Sequence, residues 1–129
     1  IKMKKIISTT NAPSAIGPYN QATSFEKLVF TSGQIALDPT TMEIVNGGVQ
    51  EQTKQVMENL KAVLEEASSS FENVLKTTCY LSDMDNFVAF NEIYGEYFNA
   101  QTAPARSTVA VKTLPKNVLV EVDVIAFKN

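Results

Sequence analysis

Residues 118–127 carry the pattern that most restricts how this chain folds. They read Val-Leu-Val-Glu-Val-Asp-Val-Ile-Ala-Phe, an alternation typical of a β-strand. Successive strand side chains point to opposite faces of a sheet, so one face carries only small aliphatic residues: Val118, Val120, Val122, Val124 and Ala126. The opposite face carries Leu119, Glu121, Asp123, Ile125 and Phe127. We therefore predict a strand with one continuous apolar face, called the valine face below.

A second β-rich run, residues 106–111, precedes this strand and is separated from it by the turn-like segment Leu-Pro-Lys-Asn. We predict that the two runs pair as an antiparallel hairpin, with Ala110 opposite Glu121. In that register Arg106, Thr108 and Glu121 share the face opposite the valine face. The assignment depends on the register, because a shift of one residue moves every side chain to the other face.

An arginine and a glutamate on one face of an apolar sheet have two interpretations. In the first they form a cross-strand or edge charge pair, worth about 0.2–1 kcal/mol. In the second they belong to a site for a small carboxylate ligand, since the planar guanidinium binds a carboxylate through two hydrogen bonds. The residues alone leave both interpretations open.

Length and composition limit the class of protein. The 129 residues predict one domain over residues 1–129. A net charge of −3 and a pI near 4.9 give no general attraction to nucleic acid or anionic membranes. The absence of histidine excludes Ser-His-Asp and Cys-His catalysis and the common His-based zinc sites. The single cysteine, Cys79, forms no internal disulfide and is interpreted as a small core residue rather than a nucleophile.

We expect neither a membrane span nor a signal peptide in this sequence. No apolar run approaches the roughly 18 residues of a membrane span, and the N-terminal region lacks the apolar core of a signal peptide. Met3 is the expected natural start, preceded by Ile1 and Lys2. We expect a cytoplasmic protein.

Periodicity elsewhere predicts two helices and further strands. Apolar residues recur at helical spacing over residues 49–67, and a second amphipathic helix is expected over residues 86–100. Strands are predicted at three further places: residues 3–9, 28–37 and 74–82. Two helices covering one face of a mixed sheet give an α+β fold. The valine face would then be left bare, so we expect a closed homo-oligomer that covers it.

Three single residues each have two interpretations. Gly33, inside a predicted strand, marks a bulge or a place where another group approaches the backbone closely. Tyr19 ends a loop rich in proline and glycine and faces a pocket or, as the preferred interpretation, packs on the core. Asn91 lies between Phe87 and Tyr94 on the apolar stripe of the second helix. A buried amide there bonds a backbone group or helps to hold a ligand.

Four further segments form a recognisable set: Asn-Ala-Pro-Ser-Ala-Ile-Gly-Pro-Tyr at 11–19, Thr-Ser-Gly-Gln-Ile at 31–35, Pro-Ala-Arg-Ser at 104–107, and Leu-Pro through Val-Glu-Val at 114–122. Together they resemble the RidA (YjgF-type) family of enamine/imine deaminases. The resemblance covers nearly the whole chain, with the segments in the same order and spacing. It implies a chorismate-mutase-like α+β fold, a homotrimer and three clefts between subunits.

The resemblance also implies an activity. Family members hydrolyse reactive 2-imino acids, such as 2-iminopropanoate and 2-iminobutanoate, to 2-keto acids and ammonia, and so protect pyridoxal-phosphate enzymes. No metal or organic cofactor is implied. Three rival functions remain: a regulatory trimer that binds 2-keto acids without turnover, a translation-inhibiting ribonuclease, which the acidic pI disfavours, and a chaperone-like role through exposed apolar surface, which burial in a trimer disfavours.

Site residues follow from the resemblance position by position. Arg106 resembles the arginine that binds the substrate carboxylate, and Glu121 resembles the acid that positions the hydrolytic water. Residues resembling the cleft lining are Tyr19, Ser32, Gly33, Asn91 and Thr108. Thr108 departs from the family pattern, in which many members have cysteine. Because Arg106 and Glu121 are far apart along the predicted hairpin, we expect them to meet a ligand in a cleft completed by a neighbouring subunit.

Overall fold

A six-stranded mixed sheet runs through the computed structural model, which describes residues 3–129. In chain order its strands are β1 (Lys5–Ile7), β2 (Ala22–Phe25), β3 (Leu28–Thr31), β4 (Val74–Leu81), β5 (Ala105–Ala110) and β6 (Val120–Phe127). Across the sheet they lie in the order β1-β2-β3-β6-β4-β5, with β4 and β5 parallel and all other neighbours antiparallel. The expectation about Ile1 and Lys2 concerns residues outside the described range.

Two helices, α1 (Val49–Glu66) and α2 (Phe87–Tyr94), pack on one face of the sheet within the described range and confirm the α+β fold. The apolar stripe predicted for α1 is fully buried, with Val56, Met57, Leu60, Val63 and Leu64 at its centre. Burying one such side chain contributes about 1.5–3 kcal/mol, so the stripe anchors the helix to the sheet. At the start of α1 the Glu51 carboxylate accepts a hydrogen bond from the Gly48 N–H (2.8 Å).

The second helix is shorter than the predicted span of residues 86–100. Asp83 caps a single 3₁₀ turn, Met84–Asn86, and α2 begins only after this turn. It ends at Tyr94 because the next backbone bonds tighten: Gly95 still donates to Asn91 (2.9 Å), but Glu96 and Tyr97 donate to the carbonyls three residues back (3.0 and 3.1 Å). The aromatic residues that follow pack on the core from turns.

The valine face exists as predicted, but it is the covered face of the sheet. Val120, Val122, Val124 and Ala126 are at most 1% exposed and form the core beneath the helices. The prediction that this face stays bare is therefore wrong. The helices cover the wholly aliphatic side because the other side carries Glu121 and Asp123, whose charges are costly to bury.

The uncovered side of the sheet, called the open face below, is rich in apolar side chains that are 38–52% exposed: Ile6, Phe25, Leu28, Phe30, Val109 and Phe127. Glu121, Asp123 and Tyr80 lie on the same face. Exposed apolar side chains that share one surface commonly indicate an interface. The expectation of a closed oligomer therefore applies to the open face instead of the valine face.

The predicted hairpin does not form, because β4 lies between β5 and β6. The predicted turn is present as a 3₁₀ turn, Pro115–Asn117, but the connection that contains it passes over the end of β4. Both ends of the connection hydrogen-bond this strand end, through Val111 to Leu81 (2.9 Å) and through Leu119 to Ser82 (3.1 Å). The pairing of Ala110 with Glu121 is therefore wrong.

The predicted strand over residues 28–37 is interrupted. β3 ends at Thr31, and the chain beyond Gly33 returns to the sheet through an isolated bridge between Gln34 and Val122. The sequence prediction missed β2, which pairs with β3 through a tight turn. Across residues 3–129, no helix has the length and apolar character that crossing a membrane requires.

Candidate functional site

Glu121 projects from β6 into a cavity of about 450 Å³. Three other predicted site residues line the same cavity: Tyr19, Ser32 and Gly33. Much of the remaining wall is apolar and comes from residues that the sequence prediction did not include: Pro13, Ile16, Ile35, Leu37 and Pro115. Lys116 also lines it, so the cavity combines one carboxylate and one lysine with largely apolar walls, as small-molecule sites commonly do. It is called the Glu121 cavity below.

The Glu121 side chain lies directly against the backbone of Gly33. A Cβ atom added to Gly33 would stand only 2.8 Å from the Glu121 carboxyl carbon and closer still to one carboxylate oxygen. Only glycine leaves room for the carboxylate here. The close-approach interpretation of Gly33 is therefore confirmed, and the approaching group is the predicted functional carboxylate.

Burial raises the pKa of the Glu121 carboxyl above its ordinary value, and the negative charge of Asp123 raises this pKa further. Burial also raises the pKa of Asp123, although the Tyr80 hydroxyl and the Lys76 charge act in the opposite direction. A carboxylate with a raised pKa is a better proton acceptor near neutral pH. Across residues 3–129, no three histidine, cysteine, aspartate or glutamate side chains are grouped as a metal site would require.

Two buried amides hold the walls of the Glu121 cavity in place. The Gln21 side chain is 3% exposed and donates to three loop carbonyls, those of Thr9 (3.0 Å), Ala12 (3.2 Å) and Pro13 (2.7 Å). From α1, Asn59 donates to the carbonyls of Ile35 (3.2 Å) and Leu37 (2.9 Å). The sequence prediction missed both, although a polar residue such as Asn59 within a buried helical stripe signals a required hydrogen bond.

Tyr19 and Ser32 occupy the cavity in different ways. Tyr19 is 49% exposed and lines the cavity, so the preferred interpretation of core packing is wrong. The Ser32 hydroxyl donates to the carbonyl of Asn20 at 2.5 Å. That bond uses its proton within the loop, which leaves the oxygen to accept from a ligand.

Arg106 lies in a second, open cavity of about 580 Å³ beside α2, called the Arg106 cavity below. Its Nη1 donates to Oδ1 of Asn91 at 2.7 Å. The guanidinium carbon stands 4.7 Å from the centre of the Tyr94 ring and 5.4 Å from that of Phe87. Asn91 is exposed and bonds a side chain, so the expected buried amide bonded to the backbone is not found. Within residues 3–129 these partners of the guanidinium are all neutral.

Thr108 follows on the same face of β5 as Arg106, opposite Cys79 of β4. Its Oγ1 atom is buried and has no hydrogen-bond partner of ordinary geometry among residues 3–129, but it interacts weakly with the Cys79 thiol and lowers the pKa of that thiol. Cys79 is fully buried, and burial raises the pKa of its thiol to about 11. The thiol is therefore protonated at neutral pH, and the interpretation of Cys79 as a core residue is confirmed.

Arg106 and Glu121 lie on opposite faces of the sheet. Arg106 pairs with Thr77, which pairs on its other side with Val124 of the valine face. Glu121 lies on the open face. Paired residues of neighbouring strands share a face, so the predicted common face of Arg106, Thr108 and Glu121 is wrong. Among the cavities of residues 3–129, Arg106 and Glu121 line two different ones.

Comparison with known sequences connects this arrangement to a family. The family model described as Endoribonuclease L-PSP matches residues 9–128. A RutC family protein of Synechocystis is 58% identical over 123 residues, which cover 95% of each chain. The mouse protein named 2-iminobutanoate/2-iminopropanoate deaminase is 46% identical over 127 residues, covering 98% of this chain and 93% of the mouse protein.

Comparison with solved structures agrees. A crystal structure of E. coli TdcF with bound serine has a TM-score of 0.90 and 42% sequence identity, covering 97% of this chain and 99% of that one. These matches extend over nearly the full length of the chain and preserve the order of its elements. The chain therefore belongs to the RidA family, the family whose model is described as Endoribonuclease L-PSP.

Proposed function

We propose that this protein hydrolyses small 2-imino acids to 2-keto acids and ammonia, at a site formed between two copies of the chain. One observation carries the proposal: a carboxylate with a raised pKa and an arginine whose partners among residues 3–129 are all neutral occupy separate cavities on opposite faces of one sheet. A 2-imino acid has the complementary groups, a carboxylate and an electrophilic C=N carbon.

The positions of the two cavities favour a cyclic assembly. When the Glu121 cavity of one copy faces the Arg106 cavity of the next, the contact is head-to-tail and uses two different surfaces. Contacts of this type generate closed rings when the rotation permits closure. We propose the homotrimer implied by the family resemblance, with three equivalent clefts. The exposed apolar side chains of the open face supply hydrophobic surface for such an assembly.

Arg106 holds the substrate in this proposal. Its planar guanidinium binds the carboxylate of the 2-imino acid through charge-assisted hydrogen bonds, each worth about 1.5–3 kcal/mol. The apolar walls of the Glu121 cavity accommodate the short side chain. Binding at both ends fixes the imine carbon near Glu121, which supplies proximity and orientation.

Glu121 moves the protons. It accepts a proton from water as the water oxygen bonds to the carbon of the protonated imine, forming a neutral carbinolamine. It then returns that proton to nitrogen, and the C–N bond breaks as the carbinolamine hydroxyl gives up its proton to Glu121. The products are the 2-keto acid and ammonia, and the remaining proton passes to solvent. The chemistry uses no thiol, so Thr108 in place of cysteine is compatible with it.

The test couples a threonine dehydratase to this protein and follows imine decay with wild type, Arg106→Ala and Glu121→Gln. We expect wild type to accelerate decay, Glu121→Gln to lose about 10²- to 10⁴-fold in rate while still binding 2-oxobutanoate, and Arg106→Ala to lose that binding. No acceleration by wild type would refute hydrolysis. Binding of 2-oxobutanoate without turnover would indicate the regulatory function instead.

Mixed oligomers test the shared cleft. Co-expression of Arg106→Ala with Glu121→Gln should restore activity, because some clefts then combine the intact Glu121 of one copy with the intact Arg106 of another. Each variant assembled alone provides the control. An active wild type whose mixed oligomers stay as inactive as their parents would refute a cleft shared between copies.

The endoribonuclease activity in the family description has less support from this site. A phosphodiester in the Glu121 cavity would lie beside a carboxylate of like charge, with Lys116 as the one lysine that lines this cavity. The chain also carries a net charge of −3, which opposes binding to a polyanion.

A further inference from the structure

The guanidinium of Arg106 is held more firmly than its place on an edge strand would require. β5 is the last strand of the sheet, and Arg106 is exposed. A long side chain in that position ordinarily samples many rotamers. Here one hydrogen bond and two aromatic rings contact its charged end.

The three contacts come from one face of α2. Phe87, Asn91 and Tyr94 are spaced by four and three residues, which places them in a row on a helix surface. Asn91 fixes one nitrogen of the guanidinium through a hydrogen bond of 2.7 Å. The Tyr94 and Phe87 rings contact it at 4.7 and 5.4 Å, the range of cation–π attraction.

Tyr94 is itself fixed from beneath. Its hydroxyl shares a hydrogen bond of 2.8 Å with Oγ1 of Thr77, and both residues are buried, at 6% and 0% exposure. Thr77 is also the residue on β4 that pairs with Arg106. The backbone that carries Arg106 and the ring beneath its guanidinium are thus tied to the same position of the sheet.

All of these partners are neutral, and this has a chemical consequence. An aspartate or glutamate at position 91 would also hold the guanidinium, but its charge would compete with an incoming carboxylate. Neutral partners hold the guanidinium while leaving its charge available to a ligand. These contacts add little to the stability of the fold, because the arginine is exposed and its partners are neutral. They are better explained by the binding of an anion.

We propose that Asn91 and Tyr94 are positioning residues, which orient the Arg106 guanidinium for a carboxylate ligand, and that Thr77 acts through Tyr94. The proposal rests on the proposed function in that Arg106 receives the carboxylate of the 2-imino acid. It gives Asn91 a different role from the one that the family resemblance implies. Asn91 acts on the arginine, and the arginine acts on the ligand.

The first test uses Asn91, which is exposed, so its variants should fold. Asn91→Ala should raise the KM for the imine and the Kd for 2-oxobutanoate by about tenfold, with kcat changed less than twofold because Glu121 is untouched. Asn91→Asp keeps a hydrogen-bond acceptor but adds a negative charge, so it should weaken 2-oxobutanoate at least as much. An Asn91→Asp variant that binds 2-oxobutanoate as tightly as wild type would overturn the proposal.

The second test uses the Tyr94–Thr77 bond. Tyr94→Phe and Thr77→Val each remove one hydroxyl with little change of shape, and each should raise the Kd for 2-oxobutanoate about threefold. The double variant should bind no worse than Thr77→Val, because all three variants lose the same hydrogen bond and Thr77→Val alone also loses the weak contact with the Cys79 thiol (4.0 Å). Tyr97→Phe is the matched control: it loses a tyrosine hydrogen bond of 2.8 Å to Glu58 without touching Arg106, and its Kd should equal that of wild type.

A third measurement does not depend on turnover. The order parameter of the Arg106 Nε–Hε group, measured by ¹⁵N NMR, should fall in Asn91→Ala and Tyr94→Phe and stay unchanged in Tyr97→Phe. Unchanged order in both of the first two variants would overturn the proposal. If wild type fails to hydrolyse imines but this order still depends on Asn91 and Tyr94, the proposed function fails and the positioning role stands.

Discussion

The Glu121 cavity and the Arg106 cavity treat their charged groups in opposite ways. Glu121 is half-buried, lies against a glycine backbone and has a second carboxylate nearby, so its charged form is disfavoured and its pKa rises. Arg106 is exposed, and the side chains that hold it are neutral. The first environment changes the chemistry of its group, while the second changes only the direction in which its group points.

The difference matches two different tasks. A group that transfers protons works best when its pKa lies near the working pH, which for a carboxylate requires burial or a neighbouring negative charge. A group that binds an anion works best with its full charge and a fixed geometry. The chain provides the two environments at two cavities, on opposite faces of one sheet.

The largest expected effect is a loss of kcat in Gly33→Ala, a substitution that disturbs the Glu121 cavity and leaves the Arg106 cavity unchanged. In Gly33→Ala the new Cβ would overlap the Glu121 carboxylate, the flexible end of a side chain that can move away. The fold should therefore survive while the carboxylate is displaced, and kcat for imine hydrolysis should fall about 100-fold. Steady-state kinetics measures the loss, and calorimetry with 2-oxobutanoate should show binding changed much less.

Gly48→Ala provides the control for this substitution. A Cβ on Gly48 has no contact closer than 3.9 Å, so this variant should keep wild-type kcat. If Gly33→Ala also keeps wild-type kcat, the position of the Glu121 carboxylate is not important for the reaction, and the contrast between the cavities loses its functional meaning.

A smaller effect concerns pH. Because its pKa is raised, Glu121 becomes a carboxylate only above the ordinary glutamate value of about 4.3, so kcat should be full above the raised pKa and fall about tenfold per pH unit below it. In Asp123→Asn the second cause of the raised pKa is gone, and the acid limb should shift to lower pH. A pH–rate profile of both proteins checks this, and a limb that shifts to higher pH would contradict the assigned cause.

The sequence predicted those features that depend on residues close together in the chain, and it failed for features that depend on which strands are neighbours. The helical period gave α1, and alternation gave the valine face of β6, since both patterns depend only on nearby residues. Of the two interpretations of Gly33, the close approach of another group proved correct. Strand order was not predicted, because alternation gives the two faces of a strand but not its neighbours.

The wrong prediction that Arg106, Thr108 and Glu121 share one face also came from the unknown strand order. Alternation correctly placed Arg106 and Thr108 on one face of β5, but the assumed hairpin connected that face to Glu121. Because β4 lies between β5 and β6, Arg106 pairs with Thr77, which in turn pairs with Val124. Arg106 and Thr108 therefore lie on the same side of the sheet as the valine face, and Glu121 lies on the open face. Asn91 was misjudged because the period of α2 indicated an apolar stripe, whereas the row that contains Asn91 lies partly beneath the Arg106 side chain and is open to solvent.

The smallest expected effect tests whether the Arg106 cavity also contains a hydroxyl that awaits a ligand. Thr108 and Ser24 both have a buried side-chain oxygen without a hydrogen-bond partner of ordinary geometry among residues 3–129, which costs up to about 1–3 kcal/mol each, less for Thr108 because of its weak interaction with the Cys79 thiol. Thr108→Val and Ser24→Ala should therefore leave the free energy of unfolding unchanged or raise it by up to about 1 kcal/mol, as measured by urea unfolding. Only Thr108 is next to Arg106 on the same strand face, so only Thr108→Val should weaken 2-oxobutanoate, by about fivefold. Equal affinities in the two variants would remove Thr108 from the site and leave Arg106 as the binding group of its cavity.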